Sequence, residues 1–434
     1  MIMMTMMMVM MVMMMMMSGG SSSRSILTNG ELRNHVDTWI ASAQNHPCGE
    51  VIGDWDVSSV TDFTDLFNGK TNFNGNISNW DTSNVKSMKK TFFMATSFDG
   101  NLQDWNTESV TSLEYTFAEA SKFTGDGLST WDTSSVSSLS CTFWLATKFN
   151  GNISHWDVSK VLTMEFALAD AAEFNRDLHW DTSSVTKLRC FLCNARSFNG
   201  NLSNWDTSKV TTMERTFQNS IKFTGDGLSN WDTSKVTSLR DTFSDATSFN
   251  ADLSNWDTSS VADLLRTFKE ATSFTCDGLS NWNTASVTEL RYTFYGAENM
   301  YGYGLMYWNL EKVQSFRQTF GNIPRISLNN DDACDLRFLV QKWSNISPAF
   351  NTEFVSSYTQ DWIDTLPSSC SEFNINPDDG RRFRYYIDEL ARGSCDLCPP
   401  IENWDISNFT NLDFIFCADK SSWKCSPVRR YIRA

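Results

Sequence analysis

Residues 201–217 read NLSNWDTSKVTTMERTF, and close copies return as NISNWDTSNVKSMKKTF from Asn76 and GLSNWDTSKVTSLRDTF from Gly227. The tryptophan of this phrase recurs at Trp55, Trp80, Trp105, Trp131, Trp156, Trp180, Trp205, Trp231, Trp256, Trp282 and Trp308, in steps of 24 to 26 residues. An apolar landmark, usually Phe, stands 18 residues after each of the first nine, at positions 73, 98, 123, 149, 174, 198, 223, 249 and 274. All variation in length therefore falls between that landmark and the next Trp. A period of this size marks a stacked array of coils, in which no single coil can bury its own apolar face.

The arithmetic divides each coil into a rigid and a tolerant part. Counting from Trp as position 0, apolar residues recur at +5, +8, +12 and usually +15, as in Val236, Leu239, Phe243 and Ala246 after Trp231. Steps of 3, 4 and 3 predict one face of a short helix. The tolerant part alternates between FNGNLSNW and FTGDGLSNW, whose Gly, Asn and Asp suit a turn with positive φ. The Leu-Ser-x-Trp that follows predicts a short strand, stacked in parallel on its counterpart in the next coil. The expected fold is an α/β repeat solenoid, with one short parallel strand and one short helix per 24–26-residue coil and helical caps at its ends.

Four regions follow. Residues 1–25 open with MIMMTMMMVMMVMMMMM and continue into SGGSSSR, the outline of a secretory signal or membrane anchor with a linker, without the usual basic start. Residues 26–54 contain Leu32, Val36, Trp39 and Ile40 at helical spacing after a cap at Thr28 or Asn29, which predicts a helical N-terminal cap. Residues 55–326 form the eleven coils. Residues 327–434 lose the period, with weakly packed helices expected to about 380 and one further repeat near 404–423 around Trp404, Phe409, Leu412 and Phe416.

The chain of 434 residues carries a net charge of -16, which argues against a nucleic-acid partner because phosphate binding needs a basic footprint. Six of its eleven cysteines (334, 370, 395, 398, 417 and 425) lie in the last region and predict disulfides there if the chain is exported. Cys141 and Cys190 share one repeat position two coils apart, roughly 10 Å by strand spacing, too far for a direct bond. Cys395-Asp-Leu-Cys398 has no matching second half for a zinc site.

The Asp after each Trp forms a ladder of carboxylates that suggests cation binding. At Trp105, Trp282 and Trp308, however, the next residue is Asn106, Asn283 and Asn309. Asn replaces Asp well in bending a backbone and poorly as a charged ligand, so the ladder reads as structural. The Trp series reads as core or stacking between coils rather than as a sugar platform. The Thr-Ser pairs read as helix caps, with Thr211-Thr212-Met213-Glu214 matching a capping box. Asn76, Asn152, Asn201, Asn345 and Asn408 begin N-x-S/T sequons and are candidate N-glycosylation sites on a secretory route.

The joint pattern F-N-G-x-L-S-x-W-D-T-S-x-V-T-x-[ML]-x-x-T-F-x-x-A resembles the BspA-like leucine-rich-repeat surface proteins, in the branch described as a mycoplasma lipoprotein-associated repeat of unknown function. The resemblance runs from about Gly53 to Ile326, and this chain has Thr91, Thr116, Thr216 and Thr242 where members commonly have Met. It implies a right-handed, leucine-rich-repeat-like solenoid on a secreted or surface protein, with binding or adhesion as its role. WD40 propellers are a different case, with a period of about 40 to 45 residues.

The expectation for function is a non-enzymatic, secreted or cell-surface scaffold that binds protein or surface glycan, with no cofactor, metal or catalytic residue. Contact with a membrane is expected only through the N-terminal segment. A purely structural wall component is the alternative, and a calcium- or ice-binding solenoid a minor one. Recognition is expected at variable exposed positions such as Lys209 and Glu214 rather than in the repeated motif.

Overall fold

A computed structural model describes residues 27–42, 51–276, 278–300, 302–323, 339 and 342–357. The chain divides into two compact units, Met1–Trp180 and Asp181–Ala434, and the same coil builds each.

Each coil enters through an Asx-type bend after Trp. Its Val then turns back on the Thr at +2, as in Val85 N–H to the Thr82 carbonyl (2.9 Å) and Val236 to Thr233 (2.9 Å). Coils meet in register at +7, where isolated parallel bridges join Asp62, Ser87, Ser112, Ser138 and Thr163 in the first unit and Lys187, Thr212, Ser238, Asp263, Glu289 and Ser315 in the second.

The segment expected to be helical is instead two successive reverse turns. Leu66 N–H donates to the Phe63 carbonyl (3.0 Å) and Lys70 N–H to that of Phe67 (3.0 Å), each an i to i−3 bond. The third residue of each turn has positive φ: Asp65 (59°), Lys90 (56°), Tyr115 (57°) and Arg215 (57°) at +10, and Met94 (58°), Glu119 (58°) and Asn219 (57°) at +14. Such a φ at that place is the mark of a type II turn. Most of these residues are not glycine, although the left-handed region costs other L-residues roughly 1–2 kcal/mol.

Hydrogen-bond accounting explains what the chain gains. In a helix, backbone N–H groups bond within the coil, and coils then meet through side chains alone. Here the N–H groups at +8, +10, +12 and +14 point to the next coil, as in Phe63 to Ser87 (2.9 Å), Asp65 to Lys89 (3.0 Å), Phe67 to Thr91 (2.8 Å) and Gly69 to Phe93 (2.8 Å). Those at +11, +13 and +15 close the turns. Where +7 carries an acceptor, its side chain takes the +9 N–H, as in Thr64 to Asp62 (2.8 Å) and Leu265 to Asp263 (2.9 Å). In the first coil no donor from +8 to +15 is left over, which buried backbone demands.

The expected strand at Leu-Ser-x-Trp is likewise a turn, and in the longer coils a 3-10 turn at Leu128–Thr130, Leu228–Asn230 and Leu279–Asn281. The residue before each is a glycine at φ near +90°, and a Cβ on Gly127 would stand 2.3 Å from the Gln103 backbone nitrogen. The expected helix cap at residues 211–214 also differs. The Thr212 hydroxyl accepts from Glu214 N–H (3.4 Å) as a local turn rather than a helix cap.

Apolar side chains at +5, +8, +12 and +18 fill the interior beside the Trp column. Trp indoles stack coil on coil, Trp80 on Trp105 at 6.5 Å and Trp282 on Trp308 at 6.1 Å between ring centroids, nearly parallel. From Trp80 onward the indole N–H reaches back to a carbonyl of the coil before: Trp80 Nε1 donates to the Ile52 carbonyl (2.9 Å) and Trp256 Nε1 to that of Leu228 (2.9 Å). Thr at +11, fully buried, ties two coils at once: the Thr142 hydroxyl reaches the carbonyls of Leu113 (3.1 Å) and Leu139 (2.7 Å).

The first coil of the first unit and the last coil of the second are each closed by side chains that imitate a missing coil. Helix α1 (Asn29–Ala41) begins with a capping box between Thr28 and Glu31 and buries Leu32, Val36 and Trp39. Its Asn29 Oδ1 accepts from Thr61 N–H (2.9 Å), where a +6 carbonyl of a preceding coil would stand. In the second unit, Glu353 on helix α2 (Pro348–Ser357) accepts from Phe316 N–H (2.7 Å) in place of the next coil's +7 carbonyl. Trp343 extends the Trp column, stacking on Trp308 at 6.1 Å and donating to the Leu305 carbonyl (3.4 Å). This part of region 327–434 is tightly rather than weakly packed, since Trp343 and Phe350 are wholly buried. The repeat near Trp404, the six C-terminal cysteines and residues 1–25 lie outside the described residues.

Candidate binding face

The two left-handed positions decide what the coil shows to solvent. A reverse turn that buries +8 and +12 brings the longer side chains between them toward solvent, while short ones such as Ala118, Ala169 and Ser244 stay buried, so +9, +10, +13 and +14 stand in columns at coil spacing, about 4.8 Å. At these places the repeat is silent and the side chains vary.

In the first unit the columns carry one aromatic ring per coil over four consecutive coils: Phe93 at +13, Tyr115 at +10, Trp144 at +13 and Phe166 at +10, each half-buried. Met94 and Leu145 at +14 extend the patch, Met94 being 39% exposed. Phe93 and Tyr115 meet edge to face at 6.0 Å with planes 79° apart. The Lys90 ammonium lies over both rings, 5.9 Å from Phe93 and 5.6 Å from Tyr115. Trp144 stands outside the core column, and its indole N–H has no hydrogen-bond partner among the described residues. Glu114 is held below the usual carboxylate range by its bond to Lys89 (2.8 Å). The Tyr115 phenol, bonded to Cys141, is pushed up to about 12 and stays a neutral donor. The Cys141 thiol is raised by burial.

In the second unit the same columns carry one arginine per coil: Arg189, Arg215, Arg240, Arg266, Arg291 and Arg317, alternating between +9 and +10 until the last two. Carboxylates of neighbouring positions answer them, Arg240 with Asp263 at 2.9 Å and Arg291 with Glu289 at 2.7 Å. Asp241 is buried between Arg215 (3.6 Å) and Arg266 (3.8 Å). Those contacts are too long for good hydrogen bonds, and its Oδ1 has none, so desolvation outweighs the arginines and raises its pKa.

The residues singled out in the sequence are distributed as follows. The repeat tryptophans Trp55 to Trp308 are core, at most 8% exposed, and form no platform for a ligand. The Asp ladder bends the backbone: Asp81 accepts from Ser83 N–H (3.1 Å), and Asn106 and Asn309 accept in the same way from Glu108 (3.0 Å) and Glu311 (2.9 Å). Asp132, Asp157, Asp206 and Asp257 are held below the usual range by the side-chain hydroxyl and N–H of the serine two residues on. Among the described residues no group of three or more His, Cys, Asp or Glu is placed to hold a metal ion.

Sequon residues Asn76, Asn152, Asn201 and Asn345 are exposed, and the first three use Oδ1 to accept from the N–H of the sequon serine, as in Asn201 to Ser203 (2.8 Å). Asn408 lies outside the described residues. Exposed hydroxyls that a regular polar face would offer are already committed: Thr111 donates to the Lys86 carbonyl (3.1 Å) and Thr147 to that of Ser121 (3.2 Å). Lys209 is exposed, and Glu214 is half-buried at +9 beside the arginine column.

Sequence reasoning missed two features. Cys190 pairs with Cys193 in its own coil, Cα to Cα 4.8 Å, because positions +10 and +13 flank one turn. The second, the outward columns, carries a sequence signal: +10 and +14 never hold a β-branched residue, the signature of a left-handed backbone.

A family model described as a mycoplasma protein of unknown function, DUF285, matches residues 38–129, 113–230 and 215–333. The chain belongs to the DUF285 family. No curated protein matches it. The three matches run from the last turn of α1 through the coils and their outward columns. No helix among the described residues is long and apolar enough to cross a membrane.

Proposed function

We propose that the protein is a non-enzymatic, secreted or cell-surface scaffold that binds another macromolecule, protein or glycan, along the aromatic column of its first unit. The observation that carries this reading is one half-exposed ring per coil at Phe93, Tyr115, Trp144 and Phe166, outside a core that already contains all the repeat aromatics. Aromatic rings and Met mark the centres of interfaces, and one ring on each of four consecutive coils supplies a surface that scattered exposure does not. A BspA-like role in adhesion and a leucine-rich-repeat-like solenoid are consistent with stacked coils and parallel bridges.

Full-length protein carrying Phe93→Ser, Tyr115→Ser, Trp144→Ser and Phe166→Ser is to be compared with the parent on arrays of surface proteins and glycans. Loss of retained partners with unchanged circular dichroism supports the reading; full retention removes it. A tagged chain with and without residues 1–17 tests export, since cytosolic retention of the intact chain contradicts a surface role.

The second reading, a structural component without ligand, rests on the arginine column of the second unit. Its charges answer one another, as a self-contained ladder between coils would require.

A further inference from the structure

The aromatic column also carries information about its occupant. Rings at +10 (Tyr115 and Phe166) stand two coils apart, as do those at +13 (Phe93 and Trp144), so each column repeats at about 10 Å. Phe93 and Tyr115 are nearly perpendicular, which offers edges and a cleft rather than the flat floor on which a sugar ring stacks. That cleft already holds a cation, the Lys90 ammonium, over two ring faces. Glu165 at +9 and Glu119 at +14 stand on the coils of Phe166 and Tyr115 and bring negative charge to the same turns, while Glu114 at +9 is paired with Lys89 (2.8 Å). The chain as a whole carries -16.

The geometry points to a basic, extended polypeptide as the occupant, with Lys or Arg at every third residue seated on successive rings between these carboxylates. Three residues of polyproline-like chain advance about 9 Å, close to the repeat of each column. A cation over an aromatic face gains more when carboxylates share the site and water is displaced. This inference rests on the binding role proposed above.

The test is calorimetric titration of the full chain with three probes: a synthetic peptide bearing Lys at every third position, the same peptide with Glu for Lys, and a neutral hexose oligosaccharide. The expected result is binding of the Lys peptide alone. It weakens with salt, by on the order of tenfold or more with Trp144→Ala, and by a smaller factor with the paired Glu119→Gln and Glu165→Gln. Binding of the oligosaccharide or the Glu peptide through Trp144 overturns the basic-peptide assignment and leaves the binding face standing. If no probe and no array partner depends on Trp144, both fall. Near-ultraviolet circular dichroism of each variant confirms that the coils are intact before its affinity is compared.

Discussion

The first unit lines its outward turns with Phe93, Tyr115, Trp144 and Phe166, while the second lines the same turns with Arg189, Arg215, Arg240, Arg266, Arg291 and Arg317. Nothing in the backbone distinguishes them: Tyr115 and Arg215 share φ of 57°, and Glu119 and Asn219 differ by one degree. The difference teaches that the frame is indifferent to what it displays. Core residues and inter-coil hydrogen bonds hold the turns, so the side chains between them are free to be mainly rings in one unit and mainly paired charges in the other, where Tyr292 and Tyr295 stand in the same columns beside the arginines.

The largest test of a shared frame is the core. Phe117→Ala in the first unit and Phe243→Ala in the second each remove a fully buried ring, and each is expected to cost about 3–5 kcal/mol. Hydrogen exchange in the two units measures it; a marked inequality breaks the claim that they are built alike.

Next comes the backbone of the outward turn. Met94→Val and Glu270→Val place a β-branched residue at φ of 58° and 55°, with an expected loss of about 1–3 kcal/mol in either unit. Met94→Gly and Glu270→Gly are expected to lie within about 1 kcal/mol of the parent, because relief of the left-handed conformation opposes glycine's entropy. Chemical denaturation separates the two outcomes, and tolerance of valine at both sites sinks the turn assignment.

A smaller effect, about 1 kcal/mol, is expected for Thr116→Val and Thr242→Val. Each removes a hydroxyl that ties two coils while leaving the turn's backbone bonds in place.

The smallest effect divides the units by pH. Asp241 is buried with its pKa raised, whereas Asp65, its counterpart at +10 in the first unit, is exposed. A carboxyl whose folded pKa lies above its unfolded value contributes stability that is present below the unfolded pKa and lost as pH rises through the folded one. Asp241→Asn is therefore expected to be more stable than the parent at neutral pH, by a margin that closes on acidification through the carboxylate range. Asp206 is depressed and has the opposite sign: its contribution is lost as pH falls. Asp206→Asn, which keeps the bend as Asn106 does, is expected to flatten the acid limb of the stability profile. Thermal melts across pH check both signs.

Much of this was legible beforehand. The period, the rigid 18-residue segment, the buried Trp column and the structural role of the Asp ladder follow from spacing and from Asn106, Asn283 and Asn309 alone. The helix within each coil was misread for a physical reason: two reverse turns return the chain to one face every three or four residues, as a helix does, so Val236, Leu239 and Phe243 fit either. The caps show a second limit. Leu32, Val36 and Trp39 announce α1 by their period, but Trp343 stands 35 residues past Trp308 without a following Asp, and nothing local marks it as the next member of the column.

Sequence by itself determined that the chain repeats, which side chains are buried, and where length is tolerated, because burial periodicity and insertions are one-dimensional records. Only the tertiary structure decided how the backbone turns between buried positions and which variable residues become neighbours. Those depend on N–H groups that pair with carbonyls 24 or 25 residues away, as Phe63 does with Ser87 and Phe217 with Thr242. That pairing, invisible in any single coil, brings Tyr115 beside Phe93 and sets Asp241 between two arginines.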